Sequence, residues 1–264
     1  MYDFPRKDRY TIDDLRAVVT ILRSEDGCPW DREQTHQSIR RDLIEETYEA
    51  VEAIDLHDPV LLREELGDVF LQVVFHSRIE EEESRFDLDD VITDVCKKLI
   101  IRHPHVFSDT EVHSTGEVLA NWEAIKNKTK GAGSYTETLT LVPKVYPALI
   151  RAQKVTKRAS AAGFCMTDFS AAWTDLQDEL RELAAAVEGE GPDAVKDELG
   201  DVLFACVNVA RHLGLDAEET LSFSVDKFIR RFAKVEEYAR DEGIDLAKAS
   251  DEQRRAWWKR AKES

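Results

Sequence analysis

Long apolar runs are missing from this 264-residue chain. The longest, around Val69–Phe75, is interrupted by Gln72 and is far too short to span a bilayer. Met1–Tyr10 is polar and offers no apolar core of a secretory signal, so a cytoplasmic protein without a membrane partner is expected. Cysteine is sparse. Cys28, Cys96, Cys165 and Cys206 lie far apart and form no Cys-x-x-Cys pair, which fits reduced thiols better than a disulfide framework or a zinc site. Positive charge is short as well: 36 Lys and Arg stand against 54 Asp and Glu, a net charge of −18. That balance argues against stable nucleic-acid binding, whereas a small polyanion remains within reach through a bridging metal. Strand-like alternation is absent, and the one acidic run, Glu80–Glu83, reads as a solvated helix end.

What is present is helical patterning with enough apolar residues, 42%, to bury real cores. Thr11, with Asp13 and Asp14 behind it, is an N-cap, and Leu15, Val18, Val19 and Leu22 form one apolar stripe. Gly27–Asp31 is expected as a loop. Asp58-Pro59 pairs an N-cap with a first-position proline. Helices are predicted near residues 37–54, 59–82, 88–102, 114–128, 148–162, 170–188, 193–213, 217–241 and 251–262. The expected organisation is all-α, as two tandem helical bundles from an internal duplication. Residues 1–130 and 148–264 form the halves, and 131–147 a linker opened by the Gly-Ala-Gly-Ser stretch.

The duplication is carried by acids. Glu46, Glu49, Glu65 and Asp68 recur as Glu179, Glu182, Glu198 and Asp201, each displaced by 133 residues (179 − 46 for the first). The closing strings, Glu65-Leu66-Gly67-Asp68-Val69 and Glu198-Leu199-Gly200-Asp201-Val202, are nearly the same. Residues three apart share a helix face, so each Glu-x-x-Glu and each Glu-x-x-Asp projects as a pair. A short turn between the two helices makes them antiparallel neighbours. Glu46 and Asp68 are equidistant from His57, as are Glu49 and Glu65, and the second copy repeats this symmetry about Glu190. All four carboxylates of a copy can therefore converge. Two like charges about 4 Å apart repel by roughly 4 kcal/mol at an effective dielectric near ~20, so convergence calls for a cation. Oxygen-only ligands select a hard ion, Mg²⁺ first and Mn²⁺ second. Gly67 and Gly200, each costing about 1 kcal/mol in a helix interior, are read as permitting close helix approach beside the site.

These strings resemble the MazG type of all-α nucleoside triphosphate pyrophosphohydrolase. The pattern Glu-Glu-x-x-Glu, spacer, Glu-x-x-Asp is met by Glu45-Glu46-Thr-Tyr-Glu49 with Glu65-Leu-Gly-Asp68. It is met again by Asp178-Glu179-Leu-Arg-Glu182 with Glu198-Leu-Gly-Asp201, where Asp178 departs from the pattern but keeps the acid. Gly27-Cys-Pro-Trp-Asp31, Arg102-His-Pro-His-Val-Phe107 and Asn208-Val-Ala-Arg-His-Leu-Gly214 extend the resemblance over nearly the whole chain. It implies Mg²⁺-dependent hydrolysis of NTP or dNTP to the monophosphate and diphosphate, a nucleotide-pool housecleaning role, and a homodimer or higher homo-oligomer.

Further repeats suit a phosphate ligand. Lys98 and Arg102 are four apart, as are Lys227 and Arg231, and each pair can reach adjacent phosphate oxygens. Trp122 and Lys126 recur as Trp258 and Lys262, an indole for a base and a cation for a phosphate. The resemblance places both kinds of pair near the nucleotide. Solvated helix faces and core tryptophans are the plainer explanations of the same residues. Asn208 falls seven residues after Asp201, where the first copy has Phe75; it is read as a substrate ligand or as a buried, satisfied amide. Glu179, Glu182, Glu198, Asp201, Lys227 and Arg231 are accordingly the expected catalytic set. The rival from another class is a non-catalytic helical protein that binds metal or a partner. A di-iron bundle would need a second Glu-x-x-His beside Glu33-Gln-Thr-His36, and the glycine and glutamate that a Nudix box requires upstream of Arg63 are absent.

Overall fold

In the computed structural model, residues 4–118, 121, 122, 125, 134–164, 168–189 and 191–263 are described. No strand occurs among them, and none of their helices is long and apolar enough to cross a membrane. The chain divides into two compact units, Met1–Thr129 and Lys130–Ser264.

In the first unit, α1 (Ile12–Leu22) opens with a full capping box. Thr11 Oγ1 accepts from the Asp14 amide, and Asp14 accepts from that of Thr11. Gly27 follows at a turn so tight that a Cβ there would overlap the Ile21 and Leu22 carbonyls. The expected loop then contains a short helix, α2 (Pro29–Glu33), because Pro29 supplies the fixed φ of a first helical position. α3 (Arg40–Asp55) starts three residues later than the pattern predicts. Thr35 and Ser38 exchange side-chain and backbone hydrogen bonds and hold the preceding turn out of the helix. α4 (Pro59–Glu82) begins where the Asp58-Pro59 signal places it, with Asp58 Oδ1 accepting from the Val60 and Leu61 amides. Asp58→Ala should cost about 1 kcal/mol, read as a lower Tm in a thermal melt without metal. α3 and α4 pack as an antiparallel hairpin, and α1 and α5 (Leu88–Arg102) pack on α4. Val19, Ile39, Val74, Phe75, Ile79 and Leu88 are the buried core. α6 (Pro104–Phe107) is one turn that Pro104 sets off from α5. The helix predicted near 114–128 lies largely outside the described residues.

The second unit repeats the hairpin as α9 (Phe169–Gly189) and α10 (Pro192–His212), around a core of Ala172, Leu176, Val202, Ala205 and Val209. Ahead of it, α7 (Tyr135–Thr140) occupies part of the stretch expected as linker; 131–133 lie outside the described residues. Arg158 of α8 (Ala148–Ala161) donates to the Thr138 carbonyl, so α7 belongs to the body of this unit. α11 (Ala217–Asp241) and α12 (Asp251–Glu263) pack on each other through Val235, Ala239, Trp257 and Ala261.

Candidate metal centre

Each hairpin gathers its acids at one level. Glu46 and Glu49 project from α3 and Glu65 from α4, each offering a carboxylate oxygen within 4.8 Å of the others. Glu65 is only 8% exposed, Glu46 is half-buried and Glu49 is open to solvent. Burial, then the charge of Asp68, pushes the Glu46 carboxyl above its ordinary pKa. Burial, then the charge of Glu49 and a hydrogen bond with it, does the same to Glu65. These are the two cross-hairpin pairs set by the symmetry about His57. Asp68 stands outside the three mutually close oxygens but acts on Glu46 more strongly than any other charge.

Glu179, Glu182 and Glu198 form the second cluster under the same 4.8 Å limit. Burial and the charge of Asp201 raise the pKa of Glu179. This copy is the more open one: Glu198 is half-buried where Glu65 is buried, and Asp201 is exposed where Asp68 is half-buried. The charges that raise Glu46, Glu65 and Glu179 are all carboxylates. An oxygen-only donor set under mutual repulsion suits a hard divalent cation.

Gly67 and Gly200 do not serve as points of close approach. A Cβ added to either would meet nothing within 4 Å, because both lie on the exposed side of their helices. The basic and aromatic residues fall into contact pairs instead. The Arg102 guanidinium lies 5.2 Å from the Trp122 ring centre, and Lys98 is exposed. Lys126 lies outside the described residues. In the second unit Lys227 sits over Phe223 at 5.5 Å and Lys262 over Trp258 at 5.9 Å, with Phe228 at 5.1 Å from Trp258. Trp258 is half-buried against the α11–α12 core, and Arg231 is half-buried on α11. Asn208 is buried, 7% exposed, and its carboxamide oxygen accepts from Arg211 Nε at 3.1 Å and Nη2 at 2.9 Å. Its counterpart Phe75 lies in the first core beneath the Arg23 guanidinium, 5.1 Å away. Arg211 escaped the sequence reading. Its signal was the three-residue spacing from Asn208, which puts both on one helix face.

Duplicated helical hairpins, each gathering three glutamates around a point that could hold a hard cation, make this an all-α protein with the carboxylate clusters of a candidate hydrolase. The comparisons give the family. A MazG nucleotide pyrophosphohydrolase domain is matched twice, over residues 34–107 and 169–236. The chain is 40% identical over 250 residues to the nucleoside triphosphate pyrophosphohydrolase/pyrophosphatase MazG of Thermotoga maritima, covering 95% of each. It is 40% identical over 254 residues to the nucleoside triphosphate pyrophosphohydrolase of Escherichia coli K12, covering 95% of this chain and 97% of that one. The chain is 46% identical over 252 residues to the Bacillus subtilis protein YabN, and there it spans about half (51%) of the relative's length. The chain belongs to the MazG nucleotide pyrophosphohydrolase family, hydrolases that act on phosphoric anhydride bonds.

Proposed function

We propose that this protein converts (d)NTP and water to (d)NMP and diphosphate, with Mg²⁺ (or Mn²⁺) held by Glu179, Glu182, Glu198 and Asp201, and by Glu46, Glu49, Glu65 and Asp68 in the first half. The observation that carries this reading is the convergence of three carboxylates in each hairpin. Bound metal would supply charge neutralisation and an acidified water. Glu179, its pKa raised above the ordinary carboxyl value by burial and then by the charge of Asp201, suits the transfer of that water's proton. Lys227 and Arg231 on α11 suit the charge developing on the diphosphate. Trp258 offers a stacking face for a base, Lys262 a phosphate contact, and Asn208 with Arg211 a polar floor. Lys98, Arg102, Trp122 and Lys126 are the matching set in the first half. Relatives named as nucleoside triphosphate pyrophosphohydrolases support the same substrate class. A nucleotide-pool housecleaning role would follow from that activity. Leu221, Val225, Phe228 and Phe232 form an exposed apolar stripe on α11, between 41% and 55% exposed, which supports a homo-oligomer.

The products decide the reading. With Mg²⁺ and a panel of NTPs and dNTPs, monophosphate and diphosphate should appear in equal amounts. Nucleoside diphosphate with orthophosphate as the main products, or metal binding without turnover, would overturn it.

A further inference from the structure

The α4 face that carries Glu65 and Asp68 continues with Gln72, His76 and Glu80, at steps of four residues. Displaced by the repeat offset, these positions are Ala205, Val209 and Leu213, and the first two are buried in the second core. His36, ahead of α3, corresponds to Phe169. The same hairpin thus folds with apolar residues at these places, so packing does not require the polar set in the first half.

That polar set is connected. His36 Nδ1 lies 2.7 Å from His76 Nδ1, and His36 Nε2 lies 2.5 Å from Glu80 Oε1. The ring planes differ by 11° and the ring centres are 5.0 Å apart. That separation is little more than the nitrogen–nitrogen distance and one ring radius at each end, so the rings meet edge to edge. Arg85 donates from Nε to Glu80 Oε2 at 2.5 Å and keeps the carboxylate ionised. Glu80 in turn holds a proton on His36 Nε2, which turns His36 Nδ1 toward His76. One proton between the two Nδ1 atoms makes a hydrogen bond. Two protons place N–H against N–H and convert the bond into repulsion. Burial and His36 both depress the pKa of His76. Charges on the elements around the pair are engaged elsewhere: Arg16 of α1 with Asp89 of α5, Arg41 with Glu45 of α3, and Arg23 and Arg78 with Glu82.

We propose that His36 and His76 form a one-proton clasp that holds the segment leading into α3 against α4 near neutral pH, lets it go in mild acid, and thereby gates the first carboxylate cluster but not the second. α3 starts four residues beyond His36 and carries Glu46 and Glu49. The direction follows from the depressed base. Its contribution to stability is complete above the ordinary histidine range and is lost as pH falls through it. The raised carboxyls act in the opposite sense, since acid relieves their repulsion, so the two effects are separable. The gating half rests on the metal reading given above; the clasp itself does not.

The test copies the second half. His36→Phe with His76→Val installs the residues found at Phe169 and Val209, and Glu80→Gln is the second variant. Imidazole ¹⁵N shifts, followed by NMR, should show one ring resisting protonation in the parent and both rings titrating at lower pH in Glu80→Gln. In a Glu198→Gln background, which weakens the second cluster, Mn²⁺ titrations at about pH 7.5 and about pH 5.5 report on the first. Binding should weaken at the lower pH by roughly threefold more with the clasp than in the Phe/Val variant. Two independently titrating histidines would overturn the clasp. Equal pH dependence of Mn²⁺ binding in the two proteins would overturn the gating. Mn²⁺ binding to neither cluster at any pH, with the coupled histidines still seen, would instead refute the metal reading.

Discussion

Glu182→Gln is expected to lower kcat/KM for a nucleoside triphosphate by about a hundredfold or more, and Glu49→Gln to leave most of it. The two residues are repeat equivalents, and each contributes one oxygen to a cluster of the same size. What differs is the surroundings. Glu198 and Asp201 are more exposed than Glu65 and Asp68, so the second cluster is easier for a triphosphate to approach. Lys227, Trp258 and Lys262 lie on helices of that same unit, and Asn208, bonded to the half-buried Arg211, adds a buried amide where the first unit has Phe75. Steady-state rates on one nucleotide, with circular dichroism to check folding, make the comparison. If Glu49→Gln is the more damaging, the first hairpin is the principal site and the assignment reverses.

Millimolar Mg²⁺ should raise the Tm by several degrees at neutral pH, and a chelator should abolish turnover until Mg²⁺ is restored. The source of the effect is the repulsion that burial and neighbouring carboxylates impose on Glu46, Glu65 and Glu179. Their native pKa values are raised, so the stability they contribute is intact below the ordinary carboxyl value and is lost as pH rises through the raised one. Metal reverses that loss only where the groups are ionised. The Mg²⁺-dependent rise in Tm should therefore be largest near neutrality and fade as pH falls toward the carboxyl range. Glu198→Gln should reduce it. A Tm indifferent to Mg²⁺ at every pH would remove the cation from the account of these clusters.

Helices and carboxylate clusters were legible for the same reason: both depend on spacing along one chain. Asp58-Pro59 marks the start of α4 because cap and proline act within one turn. The carboxylate pairing follows from helical period and a short turn, with no need to know what else packs nearby. Where the outcome hung on unlike partners, spacing was not enough. Thr35 and Ser38 delay α3 through mutual hydrogen bonds that no period encodes. Gly67 and Gly200 were taken for contacts because glycine is costly in a helix, yet cost alone does not say what faces the gap. Arg211 was overlooked because its meaning depends on Asn208 being buried, which only the three-dimensional arrangement reveals. The His36–Glu80 link spans 44 residues and joins a loop to a helix face, beyond the reach of any local pattern.

Every carboxylate of a cluster comes from one uninterrupted hairpin, α3–α4 or α9–α10. Such a site needs no distant segment to dock before it exists, so closing a short loop is enough to assemble it. A cation bound there would act as early as the hairpin itself, joining two helices whose acids would otherwise hold them apart. Copying one contiguous stretch of chain likewise copies the whole cluster, which leaves one copy free to change its surroundings while the other keeps its own.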